Sequence, residues 1–539
     1  MQPLENVFLP VSLPASVASE THGRGCDGLA PAFGEAAFTG ALAIAARKVQ
    51  ALLASQEIEG VRLERPHALL AAARSLMVDE AVDVDGMAFD ADRFADILDL
   101  YLRTGIKVNS RGYMARQFSS VVPVSAVFDL VSAIAPQPAS YYEAGQLANV
   151  ADKLIAEQFA PLIGWEAGTF EMVTTSGASL ANMTAVLAAR NRRLGQSWQQ
   201  GVQPQADGRR PAIAIGGDAH FSVSRIAGVI GIGQDQVIRL PLNDRRQVHV
   251  EQAAQALEQA AARGLDVFCI VAAAGTTSIG AIDPLPELAA LARKWGAWLH
   301  VDAAHNGSFL VSDSLRPRLR GLELADSFCL DAHKTLFVPA LCTLLFYRDP
   351  DSAAAAFPEK ASYVFDPLED EMSLFQSGIK NFECTKRPSI LNLWLVWALF
   401  GRRLFEQKLD YLVMLTELTH DYLAAQPDFA VMHRPEANIL CFTHHPAGLP
   451  AERLGDLHLE LRNRIRAEGR YFLSKVELDG VTVLRLVMMN HQITMDDVID
   501  MIGEVRRHAR EICADWGIAA GVTAEAEMIF SPQTMSKPC

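Results

Sequence analysis

The sequence predicts an α/β protein: a large lobe built on a mostly parallel sheet covered by helices, followed by a smaller α+β lobe. Three observations predict it. Between about 165 and 350, short apolar β-branched runs alternate with stretches of helical periodicity, and strands joined through helices lie parallel with both faces covered. After about 420 a shorter mixture of strand and helix signals follows a long helical stretch. The chain has 539 residues, 50% of them hydrophobic, which is ample for two or three lobes with their own cores.

Residues 1–105 are Ala/Leu-rich with helical spacing, as over 41–55 and 91–102, and show little strand signal. Such Ala-rich helices have narrow apolar faces and need a partner surface, from their own core or a second subunit. The large lobe, 106–400, carries strand candidates at 170–174, 212–215, 236–240, 267–272, 298–301, 327–330 and 343–347. Helices are expected between them at 180–194, 223–231, 250–263 and 286–295. A stretch over 391–419 is long enough to bridge two lobes. The small lobe, 401–515, has strands expected at 438–442 and 481–488 and a helix at 495–512, and residues 516–539 read as a surface tail.

Charge and cysteine usage remove several function classes. With 48 Lys+Arg against 63 Asp+Glu the net charge is -15, and that field repels nucleic-acid phosphates. The first residues, Met1-Gln2-Pro3-Leu4-Glu5, lack a basic segment before an apolar one, and no uninterrupted apolar run spans a bilayer. A cytosolic protein with neither a nucleic-acid nor a membrane partner is expected. The 8 cysteines form no CxxC pair and no zinc-spaced cluster, so most of them read as reduced core residues and no metal site is expected.

Three motifs carry chemistry. Thr174-Thr175-Ser176-Gly177-Ala178-Ser179 lies between a strand and a helix; small residues admit a close ligand, and the helix start offers unpaired N–H groups to a phosphate. An ordinary helix cap is the plain alternative. Trp298-Leu299-His300-Val301-Asp302-Ala303-Ala304 is an apolar strand ending in a carboxylate, which when buried requires a cation such as a protonated pyridine nitrogen, or else caps the next turn. Asp326-Ser327-Phe328-Cys329-Leu330-Asp331-Ala332-His333-Lys334 is another apolar strand, and it ends in a lysine. Desolvation and nearby positive charge would lower the pKa of that amine, as imine formation requires; a solvated His-Lys loop is the alternative.

The order of these motifs resembles that of the group II pyridoxal-phosphate-dependent amino-acid decarboxylases, which have fold-type I architecture. The resemblance runs from about 105 to 510. It includes Thr175 to Asn182, Asp218-Ala219-His220-Phe221-Ser222, Ala274 to Pro284, His300 to Ala304, Asp331 to Lys334, and Leu484-Arg485-Leu486-Val487. It implies a seven-stranded sheet, a pyridoxal 5'-phosphate cofactor, an L-amino-acid substrate and a homodimer with shared active sites. It further implies that Lys334 forms the imine, Asp302 faces the pyridine nitrogen, His220 stacks on the ring and Ala304 packs against the other face. Gly177, Ala178 and Ser179 would hold the phosphate, with Thr276 and His333 as further cofactor contacts and Arg485 on the substrate α-carboxylate.

Three departures bear on specificity. The lid segment 363–387 places Phe375 where relatives carry a tyrosine that protonates Cα, and a phenylalanine donates no proton. Related enzymes with that exchange make aldehydes by coupled oxidative deamination, so an aldehyde synthase is the first alternative; Tyr363 or a histidine would serve an ordinary decarboxylase. The usual His-Pro is replaced by Asn109-Ser110-Arg111-Gly112-Tyr113-Met114-Ala115-Arg116-Gln117, a segment that lines the substrate pocket in relatives. Arg116 and Gln117 are its substrate-binding candidates, with Arg111 or Arg116 available to an acidic side chain, or simply exposed. His305-Asn306 stands where many relatives have an aromatic residue and Gly. A noncatalytic cofactor-binding relative is the alternative from another class, and a dinucleotide-binding protein is disfavoured because no GxGxxG follows the first strand.

Overall fold

The computed structural model describes residues 30–77, 89–358, 372, 375–383 and 385–518. Near the N-terminus, β1 (Val61–Arg62) and β2 (Gly105–Ile106) pair antiparallel, a small sheet the helical reading of this arm missed. Helix Glu35–Ala54 covers the expected 41–55 except for its last residue and has no buried residue; Ala91–Arg103 packs beside it and pairs Asp99 with Lys48. Among the described residues, Glu35–Ala54 is the one helix long and apolar enough to cross a membrane by length and composition. Arg47 and Lys48 interrupt it.

The large sheet has seven strands: β3 (Glu171–Thr175), β4 (Arg210–Gly216), β5 (Val237–Leu240), β6 (Leu265–Ala273), β7 (Trp298–Asp302), β8 (Ser327–Asp331) and β9 (Thr343–Tyr347), in the order β3-β9-β8-β7-β6-β4-β5. Every expected strand is present. β7 and β8, β6 and β7, β4 and β6, and β4 and β5 pair in parallel, whereas β9 runs antiparallel to both β3 and β8. The exception has a local cause: only residues 332–342 join β8 to β9, too few for a helical crossover. The expected helices lie between the other strands at Ala178–Leu194, Phe221–Val229, Val250–Ala262 and Leu285–Trp295. Helices pack on both faces, so β3, β6, β8 and β9 bury every residue, and Phe328 stacks on Phe346 across β8 and β9 at 4.6 Å.

The long helix Ile390–Ala424 is not continuous. Gly401 breaks it with φ 66° and ψ -177°, a conformation a side chain would resist. Beyond it, β10 (Phe429–Val431), β11 (Ile439–His444), β12 (Ser474–Leu478) and β13 (Val481–Val487) form an antiparallel sheet in the order β10-β11-β13-β12. Helix Leu454–Glu468 packs on it, and helix Met495–Asp515, opened by a capping box between Thr494 and Asp497, packs against that helix. Because six of the seven large-sheet strands share one direction, Thr175, Ala273, Asp302 and Asp331 end at a common edge, where ligands bind in sheets of this kind.

Candidate active site

A cavity of about 310 Å³ opens at that edge. Asp302, the last residue of β7, lines it. One carboxylate oxygen of Asp302 accepts from Asn182 Nδ2 at 2.9 Å, and the other accepts from the Ala304 N–H at 3.2 Å. Behind Asn182 lies His300, whose Nε2 is 2.8 Å from Asn182 Oδ1 and whose Nδ1 is 2.8 Å from Ser327 Oγ. Burial pushes the His300 pKa down to about 3, so the imidazole is neutral and donates from one nitrogen only. Asn182 Oδ1 is an acceptor, which makes Nε2–H the donor and turns the amide NH2 toward Asp302. Ser327 Oγ in turn accepts from the Trp298 indole at 2.8 Å.

Lys334 lies three residues beyond Asp331, the end of β8, in the short helix Ala332–Thr335. Its Nζ is 2.8 Å from an Asp331 carboxylate oxygen. The other Asp331 oxygen accepts from Thr343 Oγ1 on β9. Burial alone would lower the lysine pKa, but the Asp331 charge and hydrogen bond, with Asp302 adding to them, outweigh it and hold the amine above its ordinary value. This corrects the expected lowering: the sequence shows burial, whereas the partner across one helical turn decides the sign.

The wall at β3 is the turn Ser176–Ser179. Gly177, at φ 106°, leads into helix Ala178–Leu194, and Gly177, Ala178 and Ser179 all line the cavity. The first helical N–H groups have no intrahelical partner. His220 also lines the cavity; its Nδ1 is 2.7 Å from Ser222 Oγ, and burial lowers its pKa. Thr276 lines it too, while its Oγ1 accepts from the Ala281 N–H at 3.0 Å. Ala304 and His333 complete this part of the wall, the His333 Nδ1 lying 3.0 Å from the Cys342 carbonyl.

Gln117 lines the cavity with its Nε2 buried and without a partner, and the neighbouring His305 has a buried Nδ1 in the same condition. Three expected residues lie outside the lining. Arg485 on β13 is buried, donating from Nε to the Ser278 carbonyl at 3.0 Å and from Nη1 to Ser474 Oγ at 3.1 Å; among the described residues no carboxylate pairs with it. Arg116 is exposed. Phe375 packs against Tyr142 with ring centroids 5.9 Å apart. Arg111 is committed to Asp497 at 2.8 Å, which leaves Arg116 of the two arginines considered. Tyr363 lies outside the described residues. A larger hollow of about 390 Å³ lined by Leu162, Leu310, Arg316 and Leu322 holds none of the groups at the strand ends.

Comparison with known proteins decides the family. The model for the pyridoxal-dependent decarboxylase conserved domain matches residues 95–445. The chain belongs to this family. It is 26% identical over 426 residues to L-2,4-diaminobutyrate decarboxylase of Acinetobacter baumannii, covering 77% of this chain and 83% of that protein. It is 25% identical over 483 residues to cysteine sulfinic acid decarboxylase of Homo sapiens, covering 83% and 96%. The crystal structure of mouse CSAD superposes with a TM-score of 0.79 at 23% identity, covering 88% of this chain and 98% of that one, a likeness of fold. The protein is thus a pyridoxal-phosphate-dependent amino-acid decarboxylase. Sequence reasoning gave no role to two residues of the decarboxylase that touch its central groups, Asn182 and Asp331. The available signal was an amide and a carboxylate facing an otherwise apolar interior.

Proposed function

We propose that the cavity holds pyridoxal phosphate with Lys334 as the imine-forming amine and Asp302 facing the ring nitrogen. The observation that carries this is the meeting of a lysine and a backed carboxylate, from adjacent strand ends, in one cavity. The donor set fits the group. A small-residue turn at a helix start suits its phosphate, and the buried, partnerless Nε2 of Gln117 is a donor awaiting an acceptor. Gly177, Ala178 and Ser179 hold the phosphate, with Thr276 and His333 nearby; His220 and Ala304 pack against the ring.

When bound, pyridoxal phosphate supplies an electron sink for the pair left behind as carbon dioxide departs from Cα. The chain's own residues do the rest. Asp302, held by Asn182 and the Ala304 N–H, stabilises positive charge on its partner. His220, its pKa lowered by burial, packs as a neutral ring. Arg485 is a fixed, desolvated guanidinium suited to an α-carboxylate, and orienting that group selects which bond breaks. Gln117, Arg116 and Phe375 complete the substrate side.

A second subunit completes the assembly in this reading, and the cytosol is its compartment. Helix Glu35–Ala54 exposes Phe38, Leu42, Val49 and Leu53, and helix Pro123–Ile134 exposes Val127, Val131 and Ile134; such apolar area calls for a covering surface. Borohydride reduction of the loaded protein, followed by peptide mapping, tests the central assignment. The pyridoxyl mass belongs on Lys334 and Lys334→Ala abolishes turnover; undiminished activity of that variant refutes the role.

A further inference from the structure

We propose that Asp331 is a positioning residue that holds the free amine of Lys334 in place and in its charged form. Bonding to a carbonyl carbon takes one proton from the ammonium and expels the carbonyl oxygen as water with the amine's other two hydrogens; hydrolysis of that bond returns all three, and the carboxylate again holds the ammonium. The inference rests on the cofactor reading above and adds a residue to it. Asp331 is 2% exposed, and both of its oxygens are committed, one to Lys334 Nζ at 2.8 Å and one to Thr343 Oγ1. Its backbone N–H donates to the Ala304 carbonyl at 3.1 Å. The carboxylate is thus clamped between β8 and β9 and presents one oxygen to the cavity, where the lysine side chain remains 21% exposed.

Among the described residues, the other basic group within ion-pair reach of that oxygen is the His333 imidazole, which lies farther from it than the lysine. Asp302 adds attraction, and Cys329 is held as a neutral thiol by burial. Burial likewise keeps His305 and His220 neutral, and the His333 Nε2 is 3.8 Å from the Asp331 carboxylate. A surface pair of this kind would be worth little. A buried carboxylate instead leaves an uncompensated charge when its partner is removed, so the charge on the amine is tied to the carboxylate it touches.

The test uses cofactor-free full-length protein, with reductive methylation at about pH 8 read by peptide mass spectrometry. Lys334 is compared with Lys294, whose side chain is 63% exposed. Asp331→Asn keeps the shape and removes the charge, so labelling of Lys334 should rise about 10-fold, as a fall of one unit in its midpoint requires. Thr343→Val strips a hydrogen bond from the carboxylate and should slow labelling, an arm that stands if the Asn variant fails to fold. Unchanged or slower labelling in Asp331→Asn, or faster labelling in Thr343→Val, overturns the inference. Borohydride trapping on wild-type protein separates the two claims: a pyridoxyl group elsewhere than Lys334 sinks the cofactor reading, whatever the labelling shows.

Discussion

Replacing Asn182 with Ala removes the amide that ties Asp302 to His300 and strands a polar atom on each side. His300 Nε2–H is fully buried, and water cannot replace the lost acceptor; such an orphan costs about 1–3 kcal/mol. Asp302 lines the cavity, so water reaches its freed oxygen and its share falls at the low end of that range. The two together give a loss of about 2–4 kcal/mol. Hydrogen exchange of the β7 amides in cofactor-free protein reads the loss locally, which matters in a chain of several lobes where a single unfolding energy is ill-defined. Equilibrium dialysis reads the accompanying loss of pyridoxal phosphate. Asn182→Asp keeps the volume but sets a second carboxylate against Asp302, and its cofactor affinity should fall further. An Ala variant whose exchange changes by less than about 0.5 kcal/mol, with cofactor affinity intact, would refute the bridging role.

Other predictions concern pH, the glycine turn and the product. Burial lowers His300 and His305 to about 3 and His433, His444 and His458 to about 4, from 6.5. Their neutral forms are native, so stability is present above about pH 6.5 and is lost as pH falls through 4 toward 3; urea midpoints that stay flat between about pH 7 and 4 would contradict this. Gly177→Ala meets no atom nearer than 3.9 Å, yet places a side chain at φ 106°. It should cost about 1–3 kcal/mol and weaken cofactor binding, while equal affinity would clear the turn of that role. Turnover should yield amine and carbon dioxide in equal amounts without oxygen uptake; aldehyde with peroxide would move the assignment to the aldehyde synthase.

The large sheet was legible because its strands are buried on both faces and read as unbroken apolar runs, from Leu265–Ala273 to Thr343–Tyr347. The small lobe was less so. β12, Ser-Lys-Val-Glu-Leu, buries only its two ends, and helix Leu454–Glu468 carries charge along most of its length, so neither offers a long apolar signal. The residues at the cavity were legible from their motifs, but contacts across strands were not. Sequence order places Asp331 three residues from Lys334, yet nothing in it brings Thr343 onto the same carboxylate. The sign of the lysine shift depended on that geometry.

The reversed strand β9 has a further consequence. Running between β3 and β8, it turns the segment that bears Lys334 into a short span anchored at both ends inside the sheet. Such a span has little freedom to follow a domain movement or to yield to a bulky ligand. Adaptation to new amino acids is therefore steered toward other parts of the lining, such as the Gln117 stretch, while the chemistry stays moored to an unyielding floor.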